Sequence, residues 1–336
     1  MEKILNKSSF DKRMAKNFFE NNAIIILILA VTVFVGFYKE NFFSWNNFIN
    51  LSVNTSARFI IALGISGCLI TKGTDLSAGR IVGLGACIAA TLLQKVDYAD
   101  KFFPNLGVIP IIWVILLTLF VCSIIGFVNG AVIAFLKVPP FIATLGMQTL
   151  VYGICLVYTR AEPIGALRKS YSSFATGKLF GRIPNMLVIA VFCGLFIWFL
   201  YNKTRHGKHM YAIGGNENAA EVSGVNTTAV KLRIYTLAAI LYGLAGILLC
   251  GKAGGASVNM GMGYELEAIA ACTIGGVSTN GGVGRVSGIL IGVLVFEILK
   301  ISLQYLQVNP SYTYIVQGLV IIIAVALDLR KYLAKK

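Results

Sequence analysis

NKTRHGKHMYAIGGNENAAEVSGVN, residues 202–226, is the stretch around which the rest of the chain makes sense. It is polar, rich in small residues and punctuated by glycine. On either side lies an apolar run of about twenty residues, the length that crosses a bilayer. A polar loop held between two such runs belongs to a membrane protein, and it faces water.

The composition outside the loop agrees. The 336 residues are 57% hydrophobic and 13% charged, against about 25% charged in a soluble globular domain. That leaves too little polar surface for a particle surrounded by water. Apolar runs recur at roughly 23–38, 50–71, 77–95, 109–136, 140–159, 184–201, 229–251, 264–279, 284–305 and 312–329. The expected fold is all-α and polytopic, one transmembrane domain over 1–336 with about ten transmembrane helices. No polar segment exceeds roughly 25 residues, too few to form a separate core.

The net charge is +15. Lys and Arg gather in short segments beside apolar runs, with no basic stripe interleaved with aromatics, so nucleic acid is set aside. Placing the N-terminus inside puts most of them on the cytoplasmic face. Both termini are therefore expected in the cytoplasm, with the basic tail 1–22 and the loop 202–228. Segment 160–183 falls outside in spite of its own basic charge. The tail precedes an apolar run with no small-x-small cleavage site after it, so that run reads as an uncleaved first span.

Seven cysteines (Cys68, Cys87, Cys122, Cys155, Cys193, Cys250 and Cys272) lie inside apolar runs without a CxxC pair. They read as small packing residues. His206 and His209 have no third ligand nearby, so they read as solvated loop residues and no metal site is expected. The chain lacks the GxxxxGK(S/T) phosphate loop, a nucleophile elbow and HExxH. It is expected not to be an enzyme and to bind no cofactor itself.

A transporter without its own energy source directs attention back to the loop. Asn216 is a good N-cap, Glu217 complements the positive helix end, and Gly224 can end a helix in the left-handed conformation. The helix so defined, Asn216–Ser223, has about two turns and is unstable alone in water. It must dock. Two readings stand: Ala219, Ala220 and Ser223 enter a partner's groove, or the helix is a capped connection resting on its own protein.

Two spans are irregular. In the second, an apolar core of Phe59–Ile70 follows a polar half, Asn50–Arg58. The eighth carries Glu265 and Glu267 and is broken by Gly275 and Gly276. Short, glycine-interrupted segments mark a translocation pathway. Asn54, Thr55 and Ser56 are candidates for its polar lining; the alternative makes them a wet outer loop. Glu297 and Lys300, at i and i+3, are expected to pair. Gly126 and Gly130, and Gly284, Gly288 and Gly292, recur at i+4 and predict close helix packing.

These residues also carry a resemblance. The loop AIGGNENAAEVSGVN resembles the cytoplasmic coupling segment of permeases in the ribose/galactose/arabinose branch of bacterial ABC importers. Gly73-Thr74-Asp75-Leu76-Ser77-Ala78-Gly79 is similar to that family's G-x-D-L-S-x-G signature, with Thr74 where many members have glycine or isoleucine. The run Glu265–Ala271 leading to Gly275, Gly276, Gly281 and Gly282, and the last span Val308–Asp328, resemble further landmarks. The stretches YELEAIAAC, GGVSTNGGVG and VNPSYTYI look more like galactose-type than ribose-type members. The resemblance implies a type II ABC-importer-like permease acting as a homodimer in the bacterial cytoplasmic (inner) membrane. It implies a separate sugar-import ATPase that holds ATP and Mg, and an extracytoplasmic galactose-binding protein. The coupling helix would comprise Gly215, Asn216, Glu217, Ala219, Ala220, Glu221, Ser223 and Gly224. The signature turn would comprise Gly73, Asp75, Leu76, Ser77 and Gly79. An independent secondary carrier or channel for small polar solutes is the competing class. The scarcity of ionisable groups at mid-membrane depth argues against it.

Overall fold

The computed structural model describes residues 25–333 and is almost wholly helical. The helices are α1 (Ile25–Tyr38), α2 (Trp45–Ile70), α3 (Ala78–Leu92), α4 (Ile111–Ala134), α5 (Pro140–Thr159) and α6 (Lys169–Thr176). They continue with α7 (Asn185–Lys203), α8 (Arg205–Gly215), α9 (Glu217–Val222), α10 (Thr227–Ala253), α11 (Tyr264–Ile274), α12 (Val286–Tyr305) and α13 (Pro310–Leu333). The expected tail 1–22 lies outside the described residues.

Among the described residues, seven helices (α2, α4, α5, α7, α10, α12 and α13) are long and apolar enough to cross a membrane. Two of them form the centre. Within its apolar window α2 is 83% buried and α10 72%, whereas α13 is only 11% buried. The outer helices thus turn apolar side chains outward, as a chain solvated by lipid must. Local chemistry sets the central helices' ends. Ser44 accepts from Asn47 N at 3.3 Å to cap α2, Asn226 accepts from Ala229 N at 2.9 Å to cap α10, and Gly254 at φ +74° terminates α10.

The segments expected to cross at 77–95 and 264–279 differ from expectation. They are 15 and 11 residues of helix, about 22 and 16 Å at 1.5 Å per residue, short of a hydrocarbon core of about 30 Å. Each follows a non-helical stretch, 71–77 before α3 and 254–263 before α11. The two starts meet inside the protein. A Cβ on Gly79 would lie 2.2 Å from Glu265 Oε2 and 2.3 Å from Gly261 O, so only glycine permits the approach. Gly275 and Gly276 do not interrupt a helix, as expected, but end one: α11 stops at Ile274, and Gly276 sits at φ +83°.

Glycine packing follows the sequence pattern. A Cβ on Gly288 would be 2.0 Å from Gly275 O, and one on Gly292 1.8 Å from Ala271 O, which holds α12 against α11. Gly126 is pressed likewise on Tyr235 O of α10. All seven cysteines are free and buried. Segment 160–183, expected as a loop, contains α6, and a short hairpin, β1 (Lys178–Leu179) with β2 (Ile183–Pro184), closes it. It packs down on the bundle: Tyr171 is fully buried and donates to Ile247 O of α10 at 2.5 Å.

Candidate functional site

The loop 202–226 folds into two helices, and the first was not legible as one. Thr204 accepts from Gly207 N at 3.2 Å to start α8, so His206 and His209 are half-buried helix residues and not solvated loop residues. Burial, reinforced by Arg233 and His209, lowers the His206 pKa. The second helix follows the expected chemistry. Asn216 accepts from Ala219 N at 3.1 Å, Glu217 occupies the first turn, and Gly224 adopts φ +83°.

The orientation of α9 corrects one expectation. Ala220 is 4% exposed and points into its own protein, because Glu217 pairs with Lys231 at 2.5 Å and Glu221 accepts from Thr227 at 2.6 Å. Those two ties roll the helix so that one face is seated. Ala219, Ser223 and, above all, Val222 form the other. Val222 is 91% exposed, an apolar residue on a polar helix with nothing among the described residues to cover it. Sequence reasoning missed it, although the i+3 spacing from Ala219 was a usable signal.

Main chain joins α8 to the bundle. A Cβ on Gly214 would fall 1.8 Å from Ile70 O and 2.4 Å from Gly282 N. Gly282 N itself donates to Ile70 O at 2.8 Å. Lys72 Nζ donates to Gly215 O at 3.2 Å, and Tyr211 OH to Gly284 O at 2.8 Å. The last turn of α2, the end of α8 and the 278–284 turn are thus one tight knot. That turn continues into α12 and is also held to α13, where Asp328 Oδ2 accepts from Thr279 N and Oγ1 at 3.1 and 2.8 Å.

The signature turn lies beside this knot and is buried. Ser77 donates to Asp75 Oδ1 through both its N, at 3.0 Å, and its Oγ, at 2.6 Å, and Asn129 donates to Ser77 Oγ at 3.3 Å. Leu76 is 9% exposed. Gly73 leaves space for the Tyr235 hydroxyl, which a Cβ would approach to 2.3 Å. Asp75 is satisfied within its own turn before α3.

The pathway candidates on α2 separate. Thr55 and Ser56 turn into the protein, 5% and 1% exposed, with Ser56 donating back to Ser52 O. They are helical, not loop. Asn54 instead faces a cleft and accepts from Lys252 Nζ. One turn further along α2, Arg58 Nε meets Glu297 at 2.6 Å and Glu267 at 3.1 Å. Lys300 meets Glu267 at 2.5 Å and Glu297 at 3.4 Å. Glu297 does pair with Lys300 as expected, yet its shorter contact is to Arg58. Four charges from α2, α11 and α12 form one closed neutral cluster, which is how charge survives away from water. Arg58 and Glu267, 209 residues apart, could not be matched from spacing. Gly275 and Gly276 lie at the other end of α11 from the cluster.

Two buried central helices, two half-length helices meeting at their starts and a short capped helix with an uncovered face belong to one membrane-spanning bundle, and the class of protein is a transport permease. The chain belongs to the family described as branched-chain amino acid transport system / permease component, whose model matches residues 47–325. It is 44% identical to the galactose/methyl galactoside import permease protein MglC of Escherichia coli K12, over 98% of this chain and all of that protein. It is 37% identical to the ribose import permease protein RbsC of Bacillus subtilis, over 90% of this chain and 91% of that one. No solved structure matches the chain. The fold is thus that of an ABC permease subunit, a multi-pass membrane protein.

Proposed function

We propose that this chain forms the membrane pathway of an ATP-driven importer for galactose and methyl galactoside, the sugars named for its MglC relatives. It works as a homodimer with ten membrane segments, the half-length α3 and α11 among them, and both termini in the cytoplasm. A cytoplasmic ATPase binds ATP and Mg, and an extracytoplasmic binding protein delivers sugar near segment 160–183. The observation that carries this reading is α9: one face is tied to its own chain, the other presents Val222 uncovered, and α8 beside it is knotted to α2 by main chain. Closure of the ATPase on α9 would move α8, the end of α2 and the 278–284 turn together. The pathway then changes between Asn54 on α2 and the Gly275–Gly276 end of α11. Asp75 acts as the brace of the turn before α3, not as a sugar ligand.

The deciding experiment is uptake into proteoliposomes holding the permease, with its ATPase and internal ATP, or without them. Galactose uptake that requires the ATPase is the expected result. Uptake by the chain alone under an ion gradient would replace this reading with a secondary carrier. Competition by ribose stronger than by methyl galactoside would move the substrate to the ribose type, the name of another matched relative.

A further inference from the structure

A cleft of about 580 Å³ opens between the N-terminal half of α2, the end of α10 and the end of α12. That volume lies within the roughly 300–1,000 Å³ of small-molecule sites. It is at the opposite end of α2 from the α8 knot. Its polar lining has an unusual composition. Asn47, Asn50 and Asn54 come from α2, Gln304 from the end of α12, Gln307 from the turn just after it, and Lys252 from α10. Five carboxamides and one ammonium converge there, and among the described residues no carboxylate lines the cleft. Asn50, Gln304 and Gln307 are exposed. Lys252 is occupied with Asn54, and Asn47 donates to Phe42 O at 2.6 Å. Val53, Ile301 and the Tyr305 ring supply an apolar patch beside the amides.

A carboxamide both donates and accepts, as does a hydroxyl, so a ring of carboxamides matches a ligand that is polyhydroxylated and uncharged. The apolar patch suits the C–H face of a pyranose. An anion would find one ammonium, already engaged, and a cation would find no carboxylate. The cleft also has a floor. Asn54 is one turn from Arg58, Ile301 one turn from Glu297, and Gln304 one turn from Lys300, so the wall residues stand directly above the closed charge cluster.

We propose that this cleft is a receiving site for an uncharged pyranose, closed below by the Arg58–Glu267–Glu297–Lys300 cluster. The proposal rests on the importer reading above. It goes beyond it in naming the residues that meet the sugar and the chemistry they read.

The test uses the complete transporter in proteoliposomes. Asn50→Leu and Gln304→Leu, combined, are expected to lower galactose uptake at least tenfold at limiting sugar while leaving basal ATPase activity unchanged. Both positions are exposed, so folding is spared. A second measurement needs no loss of function. Asn50→Cys and Gln304→Cys, in a chain whose own cysteines are buried, are labelled with a charged maleimide. Galactose is expected to slow labelling at least threefold, and galacturonate to have no effect. Wild-type uptake with normal uptake in the double variant and no sugar protection would overturn the site while leaving the importer reading intact. Equal protection by galacturonate would overturn the claim of an uncharged ligand. No ATP-dependent galactose uptake by the wild type would overturn both.

Discussion

Replacing Val222 by Ser should detach the permease from its ATPase without unfolding it. The side chain is 91% exposed, so the folded permease draws almost no stability from it, and exposed substitutions of this kind change stability by less than about 0.5 kcal/mol. Nearly all of its apolar surface remains available for a partner, and full burial of a side chain of this class contributes about 1.5–3 kcal/mol. Taking the lower half of that range, about 1.5–2 kcal/mol, the loss is roughly ten- to thirtyfold in affinity per α9. The assay is binding of the partner ATPase to permease in nanodiscs, with sugar-stimulated ATP hydrolysis as the functional readout. Wild-type affinity within twofold, with full stimulation, would refute α9 as the docking element. Ala220→Arg does not make this test cleanly. Ala220 is turned inward, and an arginine there strikes the permease's own core before it reaches a partner.

Three further outcomes are expected. Gly214→Ala places a Cβ 1.8 Å from Ile70 O; overpacking of this kind costs about 1–3 kcal/mol, read as a lower Tm, together with ATP hydrolysis that no longer drives uptake. Glu297→Gln leaves Arg58 and Lys300 with Glu267 alone, and breaking a buried ion pair costs about 3–5 kcal/mol. Thermal stability in detergent should fall, while any remaining uptake should still follow ATP and not a pH gradient. The His206 pKa is lowered in the fold, chiefly by burial, from its ordinary 6.5. The unfolded chain therefore takes up the proton first, and stability falls as the pH drops below 6.5. His206→Gln should flatten that part of the stability curve measured between pH 7 and 5.

What was legible in the sequence was local. The caps of α9 depend on residues within a few positions of each other, so Asn216, Glu217 and Gly224 announced them. The close helix packing at Gly126, Gly288 and Gly292 was equally plain in the i+4 spacing. What was hidden depends on partners far along the chain. Which face of α9 is seated is decided by Lys231 and Thr227, beyond the helix itself. Arg58 read as part of a polar, outward half-span, because its two carboxylates arrive from α11 and α12. Hydropathy marked 77–95 and 264–279 as spans because buried residues in a membrane protein are as apolar as lipid-facing ones. Only the packing of Gly79 on Gly261 and Glu265 reveals two half-length helices meeting inside.

The cluster beneath the cleft also bears on how the transporter responds to the voltage across its membrane. Carrying one elementary charge through a 100 mV potential costs about 2.3 kcal/mol, enough to tie a conformational switch to the cell's energetic state. Arg58 and Lys300 are balanced by Glu267 and Glu297. When α2, α11 and α12 shift, the four groups carry no net charge along the field. These four groups therefore add no net charge to a movement of the helices that carry them, and the membrane potential finds no unbalanced charge in the cluster to act on.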